Sequence, residues 1–296
     1  GVPVFFVLSG FLITYLMLRE QEGIGSFSVL RFYTRRALRI WPLYFLVLLF
    51  GFVLFPLLRS LVESGPYQET ASALYYVLFL SNFDQIRSHA LPYGVGLGPT
   101  WSISVEEQFY LAWPLLLVLF PRRRFLAPIG MVLLVALILS PLMELPREHT
   151  LFSMIYLSVG AAFGYASFYH EEIVARLTRT SDLVPLGVAV AMVAAMYLTT
   201  EIRAYFLIPV IGALVAYLVV HQCFTRGFDL SRIPVLERTG KYTYGLYMYH
   251  SICIFAVHVL FHDMLAVPDS AFLVVLAQPL LALLLSGLAA YGSYRW

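Results

Sequence analysis

Residues 31–45, Arg-Phe-Tyr-Thr-Arg-Arg-Ala-Leu-Arg-Ile-Trp-Pro-Leu-Tyr-Phe, place four arginines within nine positions. On a helix, Arg31, Arg35 and Arg39 recur at i, i+4 and i+8 along one face, and Arg36 lies beside Arg39 at i+3. Guanidinium groups present planar, paired N–H donors that match phosphate oxygens. Phe32, Trp41, Tyr44 and Phe45 add an aromatic fringe suited to the lipid–water boundary. The segment therefore reads as a phosphate-gripping cluster held at a membrane surface. A plainer reading stands beside it: basic residues flanking apolar spans orient a membrane protein and meet anionic lipid.

Two further groups could do chemistry. Ser104-Val105-Glu106-Glu107 has the spacing of a capping box, so Glu107 is expected to satisfy backbone N–H groups at a helix start. Glu106 points about 100° away around the same helix. It enters an apolar span, where an unpaired carboxylate costs at least ~2.5 kcal/mol at mid-membrane and less near the end. Glu106 thus needs a partner, an arginine or a histidine. His250 lies about two turns into another apolar span, with Tyr244 and Tyr247 at helical spacing. An ionisable residue there is a functional candidate by default, and His250 is expected to hydrogen-bond within the bundle and line a cavity. His258 and His262 form an HxxxH pair, but Val259 stands where a zinc protease has glutamate, and no third ligand is evident. No metal is expected. Cys223 and Cys253, without CxxC spacing, read as small buried hydrophobes.

The elements that must position these residues follow from composition. Hydrophobic residues make up 60% of the chain, charged ones 12%, and the mean hydropathy is +0.82. A soluble domain carries about 25% charged residues, so the chain reads as a multi-pass integral membrane protein with the bilayer as its first partner. The net charge of +2 gives no reason to expect nucleic acid. Nine apolar spans are expected, at 4–18, 38–58, 102–120, 125–141, 151–168, 183–199, 204–222, 243–262 and 271–294. Residues 70–82 are apolar but only long enough for a re-entrant or interfacial helix. With that stretch not crossing, the inner loops and flanks hold 15 of the 19 basic residues, including Arg122-Arg123-Arg124. Letting it cross would turn those three arginines outward, against the positive-inside bias. The outer segment 59–101, rich in glycine and proline after His89, is expected to cap or line a cavity.

Four stretches together resemble acyltransferase family 3. Phe5-Phe6-Val7-Leu8-Ser9-Gly10-Phe11-Leu12-Ile13 is similar to the family's FFVLSGFLI signature, and Arg35-Arg36-Ala37-Leu38-Arg39-Ile40-Trp41-Pro42-Leu43-Tyr44 to its RRxxRIxPxY segment. Trp101-Ser102-Ile103-Ser104-Val105-Glu106-Glu107-Gln108-Phe109-Tyr110 resembles WSLSVEEQFY, and Gly240 to His250 resembles GxxSYxLYLxH. The motifs keep their order across nearly the whole chain.

That resemblance implies an all-α bundle of about ten transmembrane helices, in a single acyltransferase domain over 1–296 expected to be cut at both ends. It implies a bacterial cytoplasmic (inner) membrane protein that moves an acyl group, usually acetyl, from acyl-CoA (acetyl-CoA) to a hydroxyl of a cell-surface carbohydrate or lipid-linked glycan. On this resemblance Arg36 and Arg39, with Arg35 auxiliary, would hold the donor's phosphates from the cytoplasm. The family's catalytic histidine is expected one helix before Gly1. Glu106 would then orient or polarise an imidazole, as a carboxylate does in other acyl-transfer sites. A transporter or flippase of a polysaccharide precursor is the competing class, but no internal repeat is visible. A non-catalytic membrane module is a further alternative.

Overall fold

The computed structural model describes residues 1–62, 68–201, 205–225, 233–265 and 272–294, and among these every regular element is helical. The chain divides into two compact units: Gly1–Tyr33 with Val105–Leu230, and Thr34–Ser104 with Ser231–Trp296. The divisions fall within α2 (Val29–Leu49) and α6 (Thr100–Leu119).

The first unit is built around α1 (Val2–Ile24) and α8 (Thr150–Tyr169). They touch backbone to backbone. A methyl group at Gly10 would lie 2.0 Å from the Leu157 carbonyl oxygen, and one at Gly160 would lie 2.0 Å from that of Val7. Gly160 and Gly164 are four apart on one face, the small-xxx-small pattern that lets apolar helices approach closely where no hydrophobic force separates helix from lipid. Around this pair pack α7 (Leu126–Leu142), α9 (Glu171–Thr178) and α11 (Leu207–Phe224), with α10 (Leu183–Glu201) against α11. The indole Nε1–H of Trp113 donates to Thr14 Oγ1 at 2.9 Å and ties α6 to α1. At the start of α8, His149 Nδ1 accepts from the Leu151 N–H at 3.1 Å, and burial holds its imidazole below the usual histidine range.

In the second unit α2 runs through a π turn at Phe50–Leu54 into α3 (Phe55–Val62). The hairpin of α13 (Thr243–Val259) and α14 (Gln278–Tyr294) closes on Gly245, where a methyl would meet the Ala290 side chain at 2.8 Å. Two more π turns, Leu260–Met264 and Leu273–Ala277, sit at the end of α13 and the start of α14. A short helix, α12 (Pro234–Gly240), precedes α13.

Residues 70–82, expected as one interfacial or re-entrant helix, form two pieces: α4 (Ala73–Val77) and α5 (Ser81–Ser88). The break is at Phe79, whose φ of 56° is left-handed. Its ring stacks on Tyr44 at 4.5 Å, and the Tyr44 hydroxyl donates to the Tyr76 carbonyl. The stretch around these two helices is tied by polar groups rather than by helix length. Glu69 accepts from the N–H groups of Ala71, Tyr93 and Gly94; Asp84 accepts from Ser72 N–H and from Arg87. Gly96, at φ 92°, fits against Val47 and Ile252 where no side chain could.

Of the nine expected spans, 102–120 lies on α6, which is not among the helices long and apolar enough to cross, and residues 204 and 271 lie outside those described. Among the described residues, seven helices are long and apolar enough to cross a membrane, or eight if α9 and α10, bent by 90°, count as one broken span. Their outward surfaces carry Leu142, Val190 and Val275 in exposed positions, apolar faces that suit lipid rather than water. The chain is an integral membrane protein. Cys223, expected to be buried, is exposed, while Cys253 is partly covered.

Candidate active site

The four arginines lie on α2, but they are not equivalent. Phe32, Ile40 and Tyr44 are buried, and Arg36 shares their i, i+4 row and is half-buried; Arg31, Arg35 and Arg39 are exposed. Arg36 is therefore the guanidinium turned towards protein, and the other three form the outer stripe.

In the second unit α13 meets α2 through a tyrosine. The Tyr244 hydroxyl donates to the carbonyl of Ile40 at 2.9 Å, one residue beyond Arg39. One turn further in, the Tyr247 hydroxyl donates to the Pro99 carbonyl at 3.0 Å and pairs with Ser102 Oγ at 2.7 Å. The next turn carries His250, half-buried, with its ring 5.5 Å from that of Tyr247. His250 Nδ1 hydrogen-bonds to the backbone oxygen of Tyr247. A carbonyl only accepts, so Nδ1 carries a proton in this bond. This bond is to main chain of the residue's own helix, three positions back, not to a neighbouring helix. The His258 and His262 rings lie 4.3 Å apart and tilted by 38°, and Gln278 Nε2 is 3.3 Å from His262 Nε2. Among the described residues no three His, Cys, Asp or Glu side chains converge to hold a metal ion.

Glu106 belongs to the first unit, and its partners there include two residues to which the sequence assigned no role of their own. Ser9 Oγ donates to Glu106 Oε1 at 3.0 Å, and the Tyr110 hydroxyl donates to Oε2 at 3.1 Å. Ser9 and Tyr110 also lie 3.2 Å apart, which closes a three-membered ring of polar groups between α1 and α6. Both carboxylate oxygens are engaged, which meets the requirement that an apolar span imposes on a charge. Tyr110 was legible: it stands at i+4 from Glu106, the spacing of side-chain neighbours on a helix. Ser9 lies 97 residues away in sequence and could not be paired with Glu106 from spacing.

The capping box does not form. The helix begins at Thr100, four residues before Ser104, so Ser104 is inside it rather than at its cap. Ser104 Oγ instead meets Ser81, accepting its backbone N–H at 3.3 Å and pairing with its hydroxyl at 2.7 Å. The S-x-x-E spacing was right for a cap, but Thr100 and Trp101 extend the helix upstream of it.

A family model described as "Acyltransferase domain" matches residues 1–294. "Peptidoglycan O-acetyltransferase OatA" of Listeria monocytogenes is 31% identical over 124 residues, covering 40% of this chain and 20% of that protein. "Putative peptidoglycan O-acetyltransferase YrhL" of Bacillus subtilis is 27% identical over 283 residues, 84% of this chain and 43% of its own. A "Putative O-acetyltransferase" of Staphylococcus aureus is 27% identical over 290 residues, 89% of this chain and 47% of its own. The chain thus spans less than half the length of these relatives. No solved structure matches the chain significantly.

Proposed function

Because this chain belongs to the acyltransferase family whose domain matches nearly its whole length, we propose that it is the membrane part of an O-acetyltransferase that moves acetyl from acetyl-CoA to a hydroxyl of a cell-envelope glycan. The relatives' names supply the acetyl group and the peptidoglycan class of acceptor. The observation that carries the reading is the guanidinium cluster on α2 beside α13, joined by the Tyr244–Ile40 bond next to Arg39. Arg36 and Arg39, with Arg35, bind the pyrophosphate and 3′-phosphate of the donor from the cytoplasm. Nine spans in the inner membrane, with 70–82 not crossing, put that cluster on the cytoplasmic face. Within the first unit alone the basic residues support the same sidedness. Arg19 at the end of α1, Arg176 and Arg179 at the end of α9, and Arg123, whose carbonyl accepts from Tyr165, gather at one end.

The chemistry is an exchange of ester for thioester. The acceptor oxygen attacks the thioester carbonyl carbon, the C–S bond breaks, and the hydroxyl proton passes by way of an imidazole to the departing thiolate. A neutral imidazole suits that transfer near pH 7. Glu106, held by Ser9 and Tyr110, orients the imidazole that acts as base, and His250 lines the acceptor path. Titration calorimetry of the full-length protein with acetyl-CoA tests the donor site. Arg39→Lys, which keeps the charge and loses the planar fork, is expected to bind about tenfold more weakly; unchanged affinity would refute the assignment. Glu106→Gln is expected to abolish most transfer of labelled acetyl while leaving donor affinity intact.

A further inference from the structure

We infer that the cavity at the basic end of the first unit is a binding site for the headgroup of a membrane phospholipid that carries both a phosphate and a primary ammonium, as phosphoethanolamine does. The cavity measures about 620 Å³ and lies among the ends of α1, α8, α9 and α11. Its floor is aromatic: the Tyr15 ring stands edge-on to Phe168 at 6.1 Å and to Phe224 at 5.9 Å. Arg19 and Glu22 enter from α1, Glu171 from the start of α9, and Arg179 from just beyond its end. Two guanidinium groups and two carboxylates thus face one space. Among the described residues none of the four forms an ion pair.

The charges select the ligand. Their sum is zero, so a polyanion such as a nucleotide would gain two arginines and meet two carboxylates. A dipolar headgroup satisfies both signs at once. Its phosphate takes the paired donors of Arg19 and Arg179, and its ammonium takes Glu22, Glu171 and the aromatic floor. A primary ammonium has three N–H donors for those carboxylates, whereas a choline has none. The position favours a lipid over a soluble phosphoamine. Three apolar helices end at the cavity, and α9, which is short and charged, makes a right angle with the apolar α10. A charged, amphipathic helix so turned lies along a bilayer surface, where headgroups are found. This site is separate from the acyl-transfer residues and does not depend on that reading.

The test uses the full-length protein in nanodiscs of phosphatidylethanolamine, phosphatidylcholine or phosphatidylglycerol with identical acyl chains. Native mass spectrometry then counts the lipid retained after release. The wild type is expected to retain phosphatidylethanolamine about tenfold over the other two, the scale of one charge-assisted hydrogen bond. Arg19→Gln with Arg179→Gln, and separately Glu22→Gln with Glu171→Gln, are each expected to erase that preference. Equal retention of phosphatidylethanolamine and phosphatidylcholine by the wild type overturns the proposal without recourse to any variant, as does a preference unchanged in both double variants. Soluble glycerophosphoethanolamine is the remaining arm. If it displaces bound lipid at equal concentration, the occupant is a free phosphoamine and the lipid assignment fails.

Discussion

A carboxylate inside an apolar helix keeps its orientation only through the donors around it, and for Glu106 those include Ser9 and Tyr110. Tyr110→Phe removes one charge-assisted bond, worth roughly 1.5–3 kcal/mol, and leaves the ring's packing against Phe32 in place. Transfer of labelled acetyl is expected to fall tenfold or more through kcat, with the donor KM unchanged; a purely structural role would instead lower expression and melting temperature. A second residue-scale outcome concerns pH. His149 caps α8 by accepting a hydrogen bond, which only the neutral ring can do, and burial lowers its pKa in the fold. A lowered histidine pKa means that stability is complete above the unfolded value of about 6.5. It is lost as pH falls below that value towards the folded one. Melting curves between pH 7.5 and 5 should show this loss in the wild type and not in His149→Asn, whose cap does not titrate. Of these residues, Glu106, His250 and the arginines could be singled out from type and setting. Ser9 could not, because a lone serine in an apolar span has no spacing that names its partner.

Helix existence was legible wherever an apolar run approached the thickness of a bilayer, and helix ends were not. Thr100–Leu119 began four residues before its apparent cap, because Ser104 found Ser81 rather than its own backbone. Residues 70–82 divide into two helices rather than one for a related reason: their order comes from Glu69, Asp84 and the Tyr44–Phe79 stack, long-range contacts that no local pattern encodes. The α1–α8 seam supplies the prediction at this scale. Gly160→Ala puts a methyl against a backbone oxygen that cannot swing aside. Forcing the helices apart should cost about 1–3 kcal/mol, read as a drop in melting temperature in detergent. Gly187→Ala, with open space around it, should cost nothing measurable.

For the whole molecule, the membrane class followed from composition, and the family from motifs spread over both units. The number of crossings is less easily read, since α6 carries two glutamates and α10 is bent against α9. Single cysteines decide it. Leu38→Cys beside the arginine stripe, and Leu91→Cys in the outer segment, are both at exposed positions. An impermeant maleimide added to intact cells should label Leu91→Cys and should reach Leu38→Cys only after lysis. The reverse pattern would invert the donor site. The π turns at Phe50–Leu54, Leu260–Met264 and Leu273–Ala277 all fall in the second unit. Each accommodates one residue more than a regular α-helix would take. A single-codon deletion at any of them can relax the helix to its ordinary winding instead of breaking it, so these three places are where natural variants one residue shorter should be tolerated.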